Sequence, residues 1–312
     1  MAGNDNNNVL ISLNHSLGDN FTLATANKIF IRKGVKVKQR FLENLKKHFN
    51  SSVSAIDTTK SANAARTINK WIENNTGCKL KDVVKANMIT ESTRMLIINA
   101  IYFKAKWKIP FNKNYTKDEK FFMPGNKTVQ VQTMHLFKQV LLTELGKLKT
   151  KAIRLPFQGD KVVMDILLPD DRDGLAELET KLSSVDVALL VKEKAVNREV
   201  KIKLPKFSFE TQIELNKPLE KLGIKTIFQP GGLNGMSTES LQADQIVHKA
   251  VIEVDEEGTE AVAVTVVAIP QSVSGTTSPD FIADHPFLFF LRETSSGLIL
   301  FQGKVNNPLL KL

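Results

Sequence analysis

A single cysteine, Cys78, is all the thiol chemistry in this 312-residue chain. No intrachain disulfide can form, so the fold cannot depend on one, and the compartment stays open on this count. No window holds eighteen consecutive apolar residues, which excludes a membrane-spanning helix. The motifs of common catalysis are missing too. There is no G-x-S-x-G elbow, no phosphate-binding loop, no dinucleotide fingerprint and no H-E-x-x-H. The five histidines (His15, His48, His135, His248, His285) show no metal-ligand spacing with one another or with Cys78. No metal and no cofactor is expected, and an enzyme is the weakest class. Residues 261–280 contain no Lys, Arg, Phe, Tyr, Leu or Met.

The remaining composition is that of an ordinary folded protein, with 42% hydrophobic and 24% charged residues. The length allows one large domain or two ordinary ones. No repeat and no low-complexity linker divides it, so residues 1–312 read as one domain. The net charge is +10 and the pI about 9.5, with cations densest over 32–47, RKGVKVKQRFLENLKK. That stretch alternates with apolar residues and then turns helical, which suits a solvated face. Weak polyanion binding through 32–47 is the remaining option, and specific nucleic-acid recognition is not expected. The start, MAGNDNNN, lacks the regions of a secretory signal, while six N-x-Ser/Thr sequons, at Asn14, Asn20, Asn50, Asn74, Asn114 and Asn126, give weak support for secretion.

Periodicity places the elements. Residues 23–45 read as a strand, a Lys-Gly turn and an amphipathic helix. The segment 61–77, SANAARTINKWIENNTG, is a helix with Ala65, Ile68, Trp71 and Ile72 on one broad face and glycine at its stop. TRMLIINAIYF (93–103) suits a strand buried on both faces. VVMDILLP, VKIKLPKFSF, VHKAVIEV, PFLFFLR and GLILFQGKV are further strands, separated by the helical GLAELETKL and ELNKPLEKLG. Strands dominate the C-terminal half without regular strand–helix alternation, so an α+β chain with large mixed sheets is expected.

The segment 253–273, EVDEEGTEAVAVTVVAIPQSV, has a double character. It is strand-like from Thr259 to Ile269, then loop-like through Pro270 and the polar run to Pro279. Asp255, Glu256 and Glu257 are consecutive, so in a strand their side chains alternate faces and cannot converge on one substrate.

EVDEEGTEAVAVT resembles the hinge signature of the serpins, the serine-protease-inhibitor family. NAIYFKAKW (99–107), LPKF (204–207), HKAVIEVDEEGTEA (248–261) and ADHPFLFFLRE (283–293) resemble serpin segments in the expected order. The resemblance implies three mixed or antiparallel β-sheets with surrounding helices and a reactive-centre loop within 255–280. It also implies N-terminal helices that this chain largely lacks, residues 1–20 standing for a truncated N-terminal region. The implied activity is that of a monomeric suicide substrate. A target serine protease cleaves the loop and is trapped as an acyl-enzyme when the loop inserts into the main sheet.

Carried over by motif, the loop hinge comprises Glu256, Gly258, Thr259, Glu260, Ala261, Ala263 and Thr265. The scissile bond falls between Ser272 and Val273, with Gln271 and Ser274 as neighbouring candidates. Asn99 and His248 match a polar pair at the centre of the main sheet that controls its opening. Trp107 and Lys206 match residues where the loop first enters, Lys206 as the ion-pair partner of Glu256. The hinge chemistry makes physical sense: Gly258 supplies backbone freedom, and Thr259, Ala261, Ala263 and Thr265 share one small-residue face. A bait without basic or aromatic residues points to an elastase-like protease rather than a trypsin-like one. By resemblance the protein is secreted, with the cytoplasm as the alternative. A non-inhibitory binding or carrier protein and an inactive truncated isoform are the alternative functions.

Overall fold

Strand Met95–Ala105 (β3) organises the molecule, because its even-numbered side chains find a helix and its neighbours on both sides are strands. The computed structural model describes residues 21–182, 195–257 and 278–310. On one side of β3 runs Phe21–Arg32 (β1), antiparallel to it, with the short Val53–Ile56 (β2) parallel to β1 at the edge. On the other side runs Gln245–Val254 (β10), parallel to β3, followed by Phe207–Glu214 (β9), antiparallel to β10. This five-stranded sheet has the order β2-β1-β3-β10-β9.

Helix Ser61–Asn75 (α2) covers one face of it. Ala64, Ala65, Ile68 and Ile72 are buried, packed with Phe30, Leu96, Ile98, Ala100 and Tyr102. Ile68 and Ile72 are fully enclosed, each stabilising the layer by roughly 1.5–3 kcal/mol. Half-buried Trp71 meets Phe30 edge-on at 5.5 Å. The helix ends where the Thr76 hydroxyl donates back to the Ile72 carbonyl at 2.8 Å and Gly77 takes a left-handed φ of 57°.

The expectation that β3 is buried on both faces holds for one face only. Leu96, Ile98, Ala100 and Tyr102 lie under α2, while Ile97, Asn99 and Ile101 on the other face are half-buried. That second face is closed at one end by Phe103 and Ile252 against the second sheet's core, and at the other by Met95 and Ile246. Among the described residues nothing seals its middle.

The second sheet has eight strands. Its path is Asp280–Ile282 (β11), Val196–Pro205 (β8), Lys127–Leu145 (β5), Thr150–Pro156 (β6), Val162–Pro169 (β7), Phe287–Glu293 (β12) and Ile299–Val305 (β13), with Lys117–Met123 (β4) also pairing β5. The second and third expected sheets are thus joined, because the nineteen-residue β5 pairs β4 over Lys127–Thr133, β8 over Thr133–Leu142 and β6 at its last five residues. Strand β7 is buried throughout, its apolar residues by their own hydrophobicity and its one charge, Asp165, by pairing with arginines of the neighbouring strands. Helix Leu175–Leu182 (α3) packs Leu175 and Leu178 on Leu167 and Leu288.

Helix Gln39–Phe49 (α1) carries the basic stretch. It has no buried residue, and Arg40, Lys46 and Lys47 are exposed, as a solvated face requires. A short helix, Asn216–Lys221 (α4), follows β9. No helix among the described residues is long and apolar enough to cross a membrane.

Candidate functional site

Two chain connections define the site. Pro205 ends β8 in the eight-stranded sheet and Phe207 begins β9 in the five-stranded sheet, so Lys206 stands at the crossing between them. Residues 255–279 make the other connection, leaving the five-stranded sheet after Val254 and rejoining the eight-stranded one at Asp280, where β11 pairs in parallel with Lys201–Lys203 of β8.

At the first of these anchors the acids that follow β10 are each taken by a different group. Glu256 is buried, and its carboxylate accepts from Lys206 Nζ at 2.9 Å and from the Thr116 hydroxyl at 2.7 Å. Burial alone would raise its pKa, but these donors outweigh it and hold Glu256 below the ordinary value. Asp255 pairs with Lys104 at 3.1 Å, and Glu257 pairs with Lys113. Lys104 also reaches Glu253 at 3.2 Å.

Trp107 closes the top of β3. Its buried ring stacks on Phe157 with centroids 4.3 Å apart, and its indole N–H donates to the Asp255 carbonyl at 2.8 Å. The backbone N–H of Phe111 donates to the Glu256 carbonyl at 2.9 Å. The sequence-expected trio of Trp107, Lys206 and Glu256 therefore meets at one place. Thr116, Lys104 and Lys113 complete it, and none of these carried a signal in the sequence beyond being polar.

Midway down the sheet, Asn27 of β1, Asn99 of β3 and His248 of β10 occupy one row across three strands. Asn99 Oδ1 is hydrogen-bonded to His248 Nδ1, and Asn99 Nδ2 donates to Asn27 Oδ1 at 2.5 Å. Asn99 and His248 are adjacent as expected. They are half-buried rather than enclosed, since they lie on the face opposite α2. Burial lowers the His248 pKa, favouring neutral imidazole. Asn27 was not anticipated; a polar residue inside the strand FTLATANKIFIR was the available clue.

Gly258, Thr259, Glu260, Ala261, Ala263, Thr265, Ser272 and Val273 lie outside the described residues. Among the described residues no group of three or more His, Cys, Asp or Glu side chains could hold a metal ion.

Comparison with known proteins gives one consistent result. The profile of the family Serpin (serine protease inhibitor) matches residues 2–308. An uncharacterized serpin-like protein of Methanosarcina mazei is 36% identical over 300 residues, covering 95% of this chain and 70% of that protein. The leukocyte elastase inhibitor of Bos taurus is 34% identical over 299 residues, covering 93% and 79%. In three dimensions, Serpin48 of Tenebrio molitor superimposes with a TM-score of 0.84 at 32% identity, over 98% of this chain and 80% of that one. The chain belongs to the serpin family of serine protease inhibitors.

Proposed function

We propose that the chain is a suicide-substrate inhibitor of serine proteases, with a small-pocket, elastase-like enzyme favoured as target over a trypsin-like one. One observation carries the reading: β3 and β10 are adjacent, parallel and central, and the bait loop departs from the end of β10. A strand folding back from that end runs antiparallel to β10. Placed between β10 and β3, it is antiparallel to both. Insertion exchanges one parallel interface, whose bonds are slanted, for two antiparallel ones. Among the described residues the other parallel pairs, β1–β2 and β8–β11, lie at sheet edges.

The chemistry balances without a cofactor. The protease serine oxygen attacks the Ser272 carbonyl, an ester forms, and the bond to the Val273 nitrogen breaks as that nitrogen takes a proton. The freed hinge then enters near Trp107, where side-chain and loop contacts rather than a strand ladder hold the sheet. Thr259, Ala261, Ala263 and Thr265 are small enough to pass into a packed sheet face. The absence of basic and aromatic residues over 261–280 supports the elastase-like preference, as does the likeness to a leukocyte elastase inhibitor.

The test is incubation with pancreatic elastase and, separately, trypsin, followed by denaturing gel electrophoresis. The expected result is a covalent complex with elastase and none with trypsin. Loop cleavage without complex by every serine protease tried, or rapid complex formation with trypsin, would sink the reading in its mechanism or its specificity respectively.

A further inference from the structure

Beside the Trp107 corner, a cleft of about 310 Å³ lies between the Trp107–Phe111 segment and the β5–β6–β7 surface. Its walls are apolar, with Trp107, Leu136, Val140, Leu155 and Val163 among them, and Gln139, Arg154, Asp160 and Asn197 supply polar groups. A few polar groups on an apolar wall is the general make-up of a small-molecule site.

The charges are unequal. Asp165, fully buried on β7, is shared by two guanidinium groups. Arg154 binds it in a fork, Nε to Oδ1 at 2.7 Å and Nη2 to Oδ2 at 3.2 Å. Arg292 from β12 donates to the same Oδ2. One carboxylate offsets one of the two cations, leaving the cluster with a surplus positive charge. The nearby acid Glu293 stays ionised, but its oxygens face Ser295 and Ser296 and it forms an ion pair with neither guanidinium. Asp160 in the cleft wall is already paired with Lys108 at 2.6 Å. Burial, and then repulsion from Arg154, brings the Arg292 pKa down to about 10, as a cluster short of negative charge requires. Arg154 keeps 19% of its side chain exposed and is the member of the cluster that lines the cleft.

We propose that this cleft binds a small amphipathic monoanion, an aryl or alkyl carboxylate of about a dozen non-hydrogen atoms, its apolar body against Trp107 and Val140 and its carboxylate on the free edge of Arg154. The ligand supplies the charge that Asp165 alone cannot. A guanidinium receives a carboxylate through parallel N–H bonds, which are stronger than neutral ones.

Calorimetric titration of the intact chain at neutral pH with 2-naphthoate, and with its neutral isostere 2-naphthamide, tests the assignment. Naphthoate is expected to bind one site at least about tenfold more tightly than the amide. Arg154→Gln leaves Asp165 and Arg292 as a balanced pair, and is expected to reduce naphthoate to the affinity of the amide. Gln139→Trp, at an exposed rim position, is expected to weaken both ligands while the melting temperature stays within a few degrees. Absence of saturable naphthoate binding, equal affinity for the two ligands, or binding unchanged in Gln139→Trp overturns the proposal.

Discussion

Trp107 and Asp255 are joined by a side-chain hydrogen bond, the indole N–H donating to the Asp255 carbonyl at 2.8 Å, just past the point where strand pairing stops. The last paired residues of β3 and β10 are Phe103 and Ile252. Beyond them the sheet is held by Trp107, by the Glu256–Lys206 ion pair and by loop hydrogen bonds. Such contacts can be exchanged one at a time, whereas a ladder must be broken in sequence.

Replacing Trp107 by Phe keeps an aromatic ring against Phe157 and removes the donor to Asp255. A destabilisation of about 1 kcal/mol is expected from that bond, read by urea denaturation. Trp107→Ala, which adds a cavity, is expected to cost about 3–5 kcal/mol. A Trp107→Phe variant as stable as the wild type would show that the hydrogen bond contributes nothing.

Glu256 contributes to the acid limb of stability, alongside Glu293, in which burial is outweighed by the Ser296 and Ser295 donors that bring its pKa down to about 2. The folded-state pKa of Glu256 lies below the ordinary 4.5, so its contribution is present above that value and is lost as pH falls from 4.5 through the folded value. The wild type is expected to lose melting temperature over that window more steeply than Glu256→Gln. Lys206→Met, which leaves the buried carboxylate with Thr116 as its remaining side-chain partner, is expected to cost about 2–3 kcal/mol. Identical acid limbs in wild type and Glu256→Gln refute this assignment.

His248 acts higher on the pH scale. Burial depresses its folded-state pKa below 6.5, so the native sheet holds the neutral ring and the unfolded chain binds the proton first. Stability is expected to fall as pH drops below 6.5, and His248→Asn, which cannot titrate, is expected to reduce that loss to the share of His135, whose pKa burial also lowers. Thermal melts between neutrality and about pH 5 decide the matter, and a pH profile unchanged in the variant would count against it.

Ala263→Arg introduces a charge on the hinge face that insertion would bury. Desolvating it costs several kcal/mol, so elastase is expected to cleave the variant and walk away, with little covalent complex on a gel. Undiminished complex formation would mean that this face does not enter the sheet.

The helical face of α2 was legible because a 3.6-residue period needs only local sequence: Ala65, Ile68 and Ile72 are buried as expected, joined by Ala64, while Trp71 at the edge of the face is half-buried. The strands VVMDILLP and PFLFFLR were legible for the same reason, their apolar runs having no other place to go. The half-open second face of β3 was not legible, since a run such as MLIINAIYF is equally apolar whether one or both faces are covered. Nor was the union of two sheets, which depends on β5 changing partners partway along its length.

The sequence by itself determined part of the local grammar: the most apolar strands, the helix α2, and a bait region of small and β-branched residues without a basic or aromatic side chain. It did not mark β4, β5 and β6 as strands, nor that the run VKIKLPKFSF is two strands divided at Lys206. Tertiary structure alone decided the meetings. Asn99 and His248 stand 149 residues apart in the chain, and only the parallel register of β3 and β10 sets them side by side. Lys206 finds Glu256 because it sits where the chain crosses from one sheet to the other, and Asp165 gathers two arginines because three strands pair in register at that point. Periodicity along a chain fixes which way a side chain faces. Which partner it faces depends on pairing between distant segments, and that is set by the burial of the whole core.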